Sequence, residues 1–491
     1  MTAHDIAEAK CNGSSHVVAA DLPLCMDLDG TLVRTDTLWE ALIDILRRNP
    51  LQLFVLLSCL WRGKAFFKQR AAELAKIDVS TLPYRPELVA FLRLERGRSR
   101  RIVLATGSDQ VLADQVGDYL GVFDQVIGSN GVVNLTGRQK RDELVKRFGE
   151  KGFVYVGDSN RDIPVWRQAA EGIAVGRDAS WTKRLRAKGI RVSTSLPAVN
   201  LDPHAVMQIL RPHHWLKNVL VFVPIVLADQ VLNWQAWLLA ALAAAAISLA
   251  ASGMYVWNDI LDLESDRRHP VKRSRPLASG TLPISVALAL VPLLLGAGML
   301  LASLLPPGCV LLIASYAGLS LVYSLHLKKI AILDVIFLAG LYCFRIFLGG
   351  AATGIPISKW TMLFGVFLFT SLAFLKRFTE LQLKADEANG NGRRGYLGDD
   401  LATVGSFGIM SGYIAALVFS LYLNSPEAVV QYSHPMYLWF VCPALLYWIS
   451  HVWLLAQRGQ MHTDPIVFAA RDKVSYGVFA VIAGILWLAA R

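Results

Sequence analysis

Two hydrophobic rhythms divide this chain. Up to about residue 200, short apolar runs recur and each ends in a polar cluster. Leu24-Cys25-Met26 runs into Asp27, Ile102-Val103-Leu104-Ala105 into Thr106, and Phe153-Val154-Tyr155-Val156 into Gly157-Asp158. Val126-Ile127 and Ile173-Ala174-Val175 are weaker runs of the same kind. Helical patterns lie between them, as over Asp109 to Leu120 and Asp142 to Phe148. Such alternation predicts a parallel sheet with crossover helices, whose ligand groups collect beyond the carboxyl ends of the strands.

The second rhythm starts near 205. Apolar stretches lie near 216–231, 235–257, 284–304, 308–325, 331–350, 360–375, 403–423, 435–456 and 474–490. Their length predicts about nine membrane helices, the first of them interrupted by Pro224. Basic residues gather in loops near 267–275, 328–329, 376–394 and 458–473. The intervening loops are nearly bare, Lys359 being the main exception. By the positive-inside rule these basic loops and the N-terminal half face the cytoplasm of a bacterial-type inner membrane, and the C-terminus lies outside. The organisation expected is an N-terminal tail over 1–20, an α/β domain over 21–200 and a membrane domain over 206–491.

Composition sharpens this picture. The chain has 491 residues, 54% of them hydrophobic, a mean hydropathy of +0.42 and a formal net charge of +11. The positive charge sits between apolar stretches and not on aromatic-bearing polar faces, so it points to a lipid bilayer and anionic substrates, with no nucleic acid as partner. The six cysteines lack metal-ligand or disulfide-framework spacing. The stretch Leu51 to Trp61 is apolar but too short to span a bilayer, which takes roughly 20 residues. Its two readings are a buried helix or an interfacial helix.

Two acidic motifs carry the chemistry. The first is Asp27-Leu28-Asp29-Gly30-Thr31, at a strand end. The second is Asn258-Asp259-Ile260-Leu261-Asp262-Leu263-Glu264-Ser265-Asp266, at the mouth of a membrane stretch. Asp259, Asp262 and Asp266 recur at helical spacing and share one face. Three carboxylates so close need a cation, and a diphosphate held through Mg2+ suits them. Arg345 lies inside an apolar stretch, where a charge is costly and serves a purpose.

The N-terminal half resembles the haloacid dehalogenase (HAD) phosphatase superfamily. Asp27 to Thr31 looks like its first motif, Thr106 in Ala105-Thr106-Gly107-Ser108 like the second, Lys140 like the third and Gly157-Asp158-Ser159-Asn160-Arg161-Asp162 like the fourth. The resemblance implies a Rossmann-like domain with a helical cap inserted at about 36–95. It also implies a phosphomonoesterase in which Asp27 is the nucleophile and Asp29 the acid and then the base. Asp27 and Asp158 would hold Mg2+, and Thr106 and Lys140 would neutralise the phosphoryl oxygens.

The second half resembles the UbiA prenyltransferase superfamily, by the Asn-Asp-x-x-Asp-x-x-x-Asp pattern and the helix plan. Arg211 to Leu220, Asp266 to Pro276, Ser358-Lys359-Trp360, Lys376 to Leu381 and Arg471-Asp472 look like its polyprenyl-phosphate phosphoribosyltransferase branch. The second acidic motif of aromatic prenyltransferases is replaced by Tyr323-Ser324-Leu325-His326-Leu327-Lys328-Lys329, with only Asp334 beyond it. The branch implies transfer of 5-phosphoribose from phosphoribosyl pyrophosphate to a polyprenyl phosphate. Asp259, Asp262 and Asp266 would clamp the diphosphate, assisted by Asn258, Lys272 and Arg275. Lys217, Asn218, Tyr323, Lys328, Arg345, Lys376 and Arg377 are the candidates for the remaining substrate contacts. The fusion implies that the first half removes the 5-phosphate from the lipid product. Rival readings are an aromatic prenyltransferase and a phosphate-binding module without turnover; the oligomeric state stays open.

Overall fold

The computed structural model describes residues 21–176, 179–187, 189–196, 203–385, 395–461, 465–469 and 471–490. The tail over 1–20 and a stretch of the basic 376–394 loop lie outside these. The chain divides into two compact units: 1–210 with 256–290, and 211–255 with 291–491.

The first unit holds a six-stranded, wholly parallel sheet: β1 (Leu24–Met26), β2 (Ile102–Asp109), β3 (Gln125–Ser129), β4 (Val154–Gly157), β5 (Glu171–Val175) and β6 (Val192–Leu196). Their order is β3-β2-β1-β4-β5-β6. Both faces are covered, which is why the strands read as continuous apolar runs. Alternate residues enter opposite cores. Leu24, Met26, Ile102 and Leu104 join one cluster, while Cys25, Val103 and Ala105 join the other. β2 runs past the expected Ala105 to Asp109, with a register irregularity over that stretch.

Between β1 and β2 come helices Thr37–Arg48, Leu51–Ser58, Lys64–Leu74 and Pro86–Gly97. The first three share a small core of Ala41, Ile45, Leu56, Phe67 and Ala71. The last packs Leu88, Phe91 and Leu92 against β1 and β2. The apolar stretch from Leu51 is not the buried helix of one expectation. Phe54 is 72% and Trp61 95% exposed, and Leu56 alone in the helix is buried. Residues 256–290 bring to this unit the end of helix Trp234–Leu261, the short helix Leu263–Arg268 and the 3-10 turn Lys272–Ser274.

Eight helices among the described residues are long and apolar enough to cross a membrane: Trp234–Leu261, Ile284–Ala302, Gly308–Lys329, Leu333–Thr353, Lys359–Leu383, Gly398–Leu423, Pro435–Gln457 and Lys473–Ala490. The ninth expected stretch, near 216–231, is instead a 3-10 helix over Pro212–Phe222 followed by the short helix Val223–Leu227. Pro224 lacks the amide that would continue one α-helix across that point. In the second unit small residues bring backbones together. Ala236, Ala240, Ala243, Ala246 and Ala250 are buried along one helix, and a Cβ on Gly298 would lie 2.9 Å from the Ala246 carbonyl oxygen.

Candidate functional site

The carboxyl ends of β1, β2 and β4 converge as the topology requires. Asp27 follows β1 directly, and its Oδ1 accepts from the Leu28 amide at 2.8 Å. Its Oδ2 lies 2.9 Å from Lys140 Nζ, delivered by helix Arg138–Phe148. Asp29 accepts from the Thr37 amide at 2.9 Å and from Ser108 Oγ at 2.6 Å. Gly30 turns the chain just after them at φ +73°, and a Cβ there would collide with the Asp158 carboxylate. Thr106 is buried, and its hydroxyl pairs with Ser108.

The first site is richer than its four motif residues. Asp162, 2% exposed, stands 3.8 Å from Lys140 and accepts from Tyr155 OH at 2.8 Å and from Ser159 Oγ at 2.9 Å. Tyr155 in turn accepts from Lys140 at 2.9 Å. Lys68, from helix Lys64–Leu74, donates to Gly107 O at 2.7 Å and to Asn134 at 3.2 Å. The Asp158/Asp162 spacing is visible in sequence. Ser108, Tyr155 and Lys68 carry no local signal.

Burial sets the protonation of this cluster. It pushes Asp27 up to about 7, against the pull of Lys140, and Asp29 up to about 6, with help from Asp36. For Lys140 burial opposes the charge, but Asp27 and Asp162 outweigh it and hold its pKa above the ordinary value. Asp27, Asp158 and Asp162 each present an oxygen within 4.8 Å of the others. Hard carboxylate oxygens at that spacing suit a divalent cation such as Mg2+. Asp162 is the most buried of the three at 2% exposed, and its two oxygens already serve Tyr155, Ser159 and the Asp158 and Ser159 amides.

The second acidic motif lies in the same unit. Asp259 and Asp266 are each 4% exposed. Arg275 bridges them, with NH1 3.2 Å from Asp259 and 2.6 Å from Asp266. Asn258 donates to Asp262 at 3.0 Å. Lys272 is half-buried one turn before Arg275. The carboxylates and the arginine together fit a divalent cation carrying a diphosphate: oxygens for the cation, guanidinium for the anion.

The remaining candidates lie in the second unit, in two groups. Arg345, 4% exposed, donates to Asn218 Oδ1 at 2.8 Å, to Tyr316 OH at 3.1 Å and to the Leu341 carbonyl. Lys217 and Arg345 both lie over the Tyr342 ring, at 5.5 and 5.7 Å. These three hydrogen-bond partners of Arg345 are all neutral. Arg377 differs: it pairs with Asp334, with Glu380 at 2.6 Å and with Tyr323 OH at 3.0 Å. Asp334 also accepts from Tyr396 OH at 2.8 Å. This network uses most of the Arg377 guanidinium internally. Lys328 and Lys376 are half-buried.

Comparison with known proteins agrees with both halves. Residues 219–488 match the UbiA prenyltransferase family, and 24–167 match haloacid dehalogenase-like hydrolases. An uncharacterized protein of Sinorhizobium fredii is 35% identical over 94% of this chain and 90% of its own length. A nodulation protein of Azorhizobium caulinodans is 35% identical over 54% of this chain and 86% of its own. Decaprenyl-phosphate phosphoribosyltransferase of Mycobacterium tuberculosis is 34% identical over 38% of this chain and 63% of its own. The chain therefore belongs to the UbiA prenyltransferase family and carries a haloacid dehalogenase-like domain before its membrane helices.

Proposed function

We propose that this protein is a bifunctional membrane enzyme acting on a polyprenyl phosphate. In the first reaction a phosphate oxygen of the lipid attacks C1 of phosphoribosyl pyrophosphate. The C1–O bond breaks, and pyrophosphate leaves with the electron pair. Asp259, Asp262 and Asp266 would hold Mg2+ on that diphosphate, and the ion would supply neutralisation of the leaving group's charge. Asn258, Lys272 and Arg275 assist. Lys217 and Arg345 bind the lipid phosphate, oriented by Asn218; Lys328, Lys376, Arg377 and Tyr323 are the other basic and polar candidates.

In the second reaction Asp27 attacks the 5-phosphate of the lipid product. The ester P–O bond breaks while Asp29 gives its proton to the leaving oxygen. Asp29 then takes a proton from the water that cleaves the aspartyl-phosphate. Lys140 and Thr106 balance the phosphoryl charge, and Mg2+ on Asp27 and Asp158 would screen nucleophile from phosphate. Both sites face the cytoplasm in this reading, supported by the basic loops.

The observation that carries the proposal is that residues 256–290, with the diphosphate-type motif, pack in the same compact unit as the phosphatase-like sheet. The mycobacterial relative's name supports the choice of donor and acceptor. The test gives membranes labelled phosphoribosyl pyrophosphate and a polyprenyl phosphate, and separately a labelled prenyl diphosphate and an aromatic acid. Label from the first alone should enter lipid, ending as a ribosyl lipid without its 5-phosphate. Incorporation only from the prenyl diphosphate would overturn the reading.

A further inference from the structure

Within the first unit the acidic motif does not end at Asp266. Arg267 follows it and forms a bidentate pair with Glu40 of helix Thr37–Arg48, NH2 to Oε1 at 2.6 Å and NH1 to Oε2 at 3.1 Å. The side chains are 6% and 8% exposed, so the pair is desolvated. Two more ion pairs flank it: Arg268 with Asp78 at 2.7 Å, and Arg47 with Glu264. Single surface pairs contribute little, but a buried bidentate pair fixes geometry and tolerates no loss of one partner.

Both ends of this pair lead to a site. On one side, Arg267 Nε donates to the Ala278 carbonyl at 3.1 Å. Ala278 lies three residues after Arg275, which bridges Asp259 and Asp266. Gly280 lies under Arg34, where a Cβ would stand 2.6 Å from the Arg34 Cβ. On the other side, Glu40 Oε1 accepts from Thr35 Oγ1 at 2.7 Å, and Thr35 O accepts from the Gly30 amide at 3.1 Å. Two residues on, the Thr37 amide holds Asp29, and Thr37 Oγ1 lies 2.8 Å from Ser108 Oγ, which also holds Asp29.

We propose that the Arg267–Glu40 pair couples the two sites, so that a magnesium diphosphate on the 258–266 motif shifts the Thr35–Thr37 segment and slows the phosphatase step. Arg275 now pairs with the Asp259 and Asp266 oxygens, and would give them up to a cation held there. Moving Arg275 moves Ala278, and Arg267 carries the displacement to Glu40 and so to Asp29. Arg267 and Glu40 are positioning residues. The coupling rests on the two-reaction reading above. Its chemical sense is protection of the donor, whose own 5-phosphate must survive until transfer.

The test uses the full chain in lipid nanodiscs, with magnesium methylenediphosphonate as a diphosphate that cannot be hydrolysed. In the wild type it should change amide deuterium exchange over 34–40, and lower kcat for p-nitrophenyl phosphate about fivefold at unchanged KM. In R267Q both responses should vanish. In E40Q, whose amide oxygen can still accept from Thr35 and from Arg267, both should persist in weakened form, which a merely structural defect would not allow. No exchange response in the wild type, or a full response in R267Q, overturns the coupling. An exchange response without any Asp27-dependent turnover keeps the link between the motifs and instead overturns the phosphatase reading.

Discussion

The sharpest perturbation is Asp29→Asn. In the structure Asp29 Oδ1 accepts from Thr37 N and Oδ2 from Ser108 Oγ. An asparagine keeps the first bond, and its amide can donate to the Ser108 hydroxyl in the second. The cost to folding is therefore one rearranged hydrogen bond, about 1 kcal/mol. The chemical cost is larger, because general acid–base catalysis contributes about 10²- to 10⁴-fold. That corresponds to roughly 3–5 kcal/mol of barrier at about 1.36 kcal/mol per decade. The loss is uneven across the two half-reactions. p-Nitrophenolate leaves without a proton, so Asp27 still captures phosphate from it, whereas the water step lacks its base. Rapid mixing of the variant with p-nitrophenyl phosphate should give a burst of about one nitrophenolate per Asp27, then near silence, with phosphate trapped on the protein. With phosphoribosyl pyrophosphate and polyprenyl phosphate the variant should stop at the 5-phosphorylated lipid. A variant that turns over steadily, or a wild type that also stops there, refutes the assignment.

Four further outcomes are expected. With Asp27 pushed up to about 7, the nucleophile ionises only as pH rises through that value. A cation on Asp27 and Asp158 favours the ionised form, so raising Mg2+ should move the acid limb of kcat/KM down by about one pH unit or more; an unmoved limb refutes the shared ligand. The same raised group makes the folded state hold a proton that the unfolded chain has lost above its ordinary 3.8, so stability should fall between there and about 7. Urea unfolding in detergent across that range checks it, since D27N should show a smaller fall, the remainder coming from Asp29, which is pushed up to about 6. In the membrane half, Asp334→Ala leaves buried Arg377 with the more exposed Glu380 and should cost about 3–5 kcal/mol, while Asp334→Leu with Arg377→Met recovers most of it; equal melting temperatures for single and double variants would refute that. A nitroxide at Phe54 in nanodiscs should be relaxed more by dissolved oxygen than by a nickel chelate if the exposed 51–61 helix lies in lipid, and the reverse ordering would reject an interfacial helix.

Much of this is legible in sequence for a physical reason. Strands β1, β2 and β4 are buried on both faces, so they read as unbroken apolar runs ending in Asp27, Thr106 and Asp158. β6 is not legible, because Val192-Ser193-Thr194-Ser195-Leu196 is dominated by small polar residues and its assignment comes from pairing with β5. Hydropathy predicts a ninth membrane helix because it does not register that Pro224 divides a 16-residue stretch into two short helices. Asp162 and Arg275 are visible as residues, but not as partners of Lys140 and of Asp259 with Asp266. Those pairings join segments that the fold alone brings together, and Lys68 and Ser108 enter the first site the same way. Least legible is Glu40. Nothing local marks it, and its partner lies 227 positions away.

That separation bears on how the gene can be cut. The boundary near 200 looks like a place to split the chain into independent enzymes, yet Glu40, Asp78 and Arg47 reach beyond it to Arg267, Arg268 and Glu264. A chain started after that boundary would carry a guanidinium shaped for burial with no carboxylate to meet it. Dissection by truncation would then report a weak transferase and credit the missing half with a role in transfer chemistry. The loss would be a debt left at the cut surface, repaid by supplying residues 1–210 as a separate polypeptide.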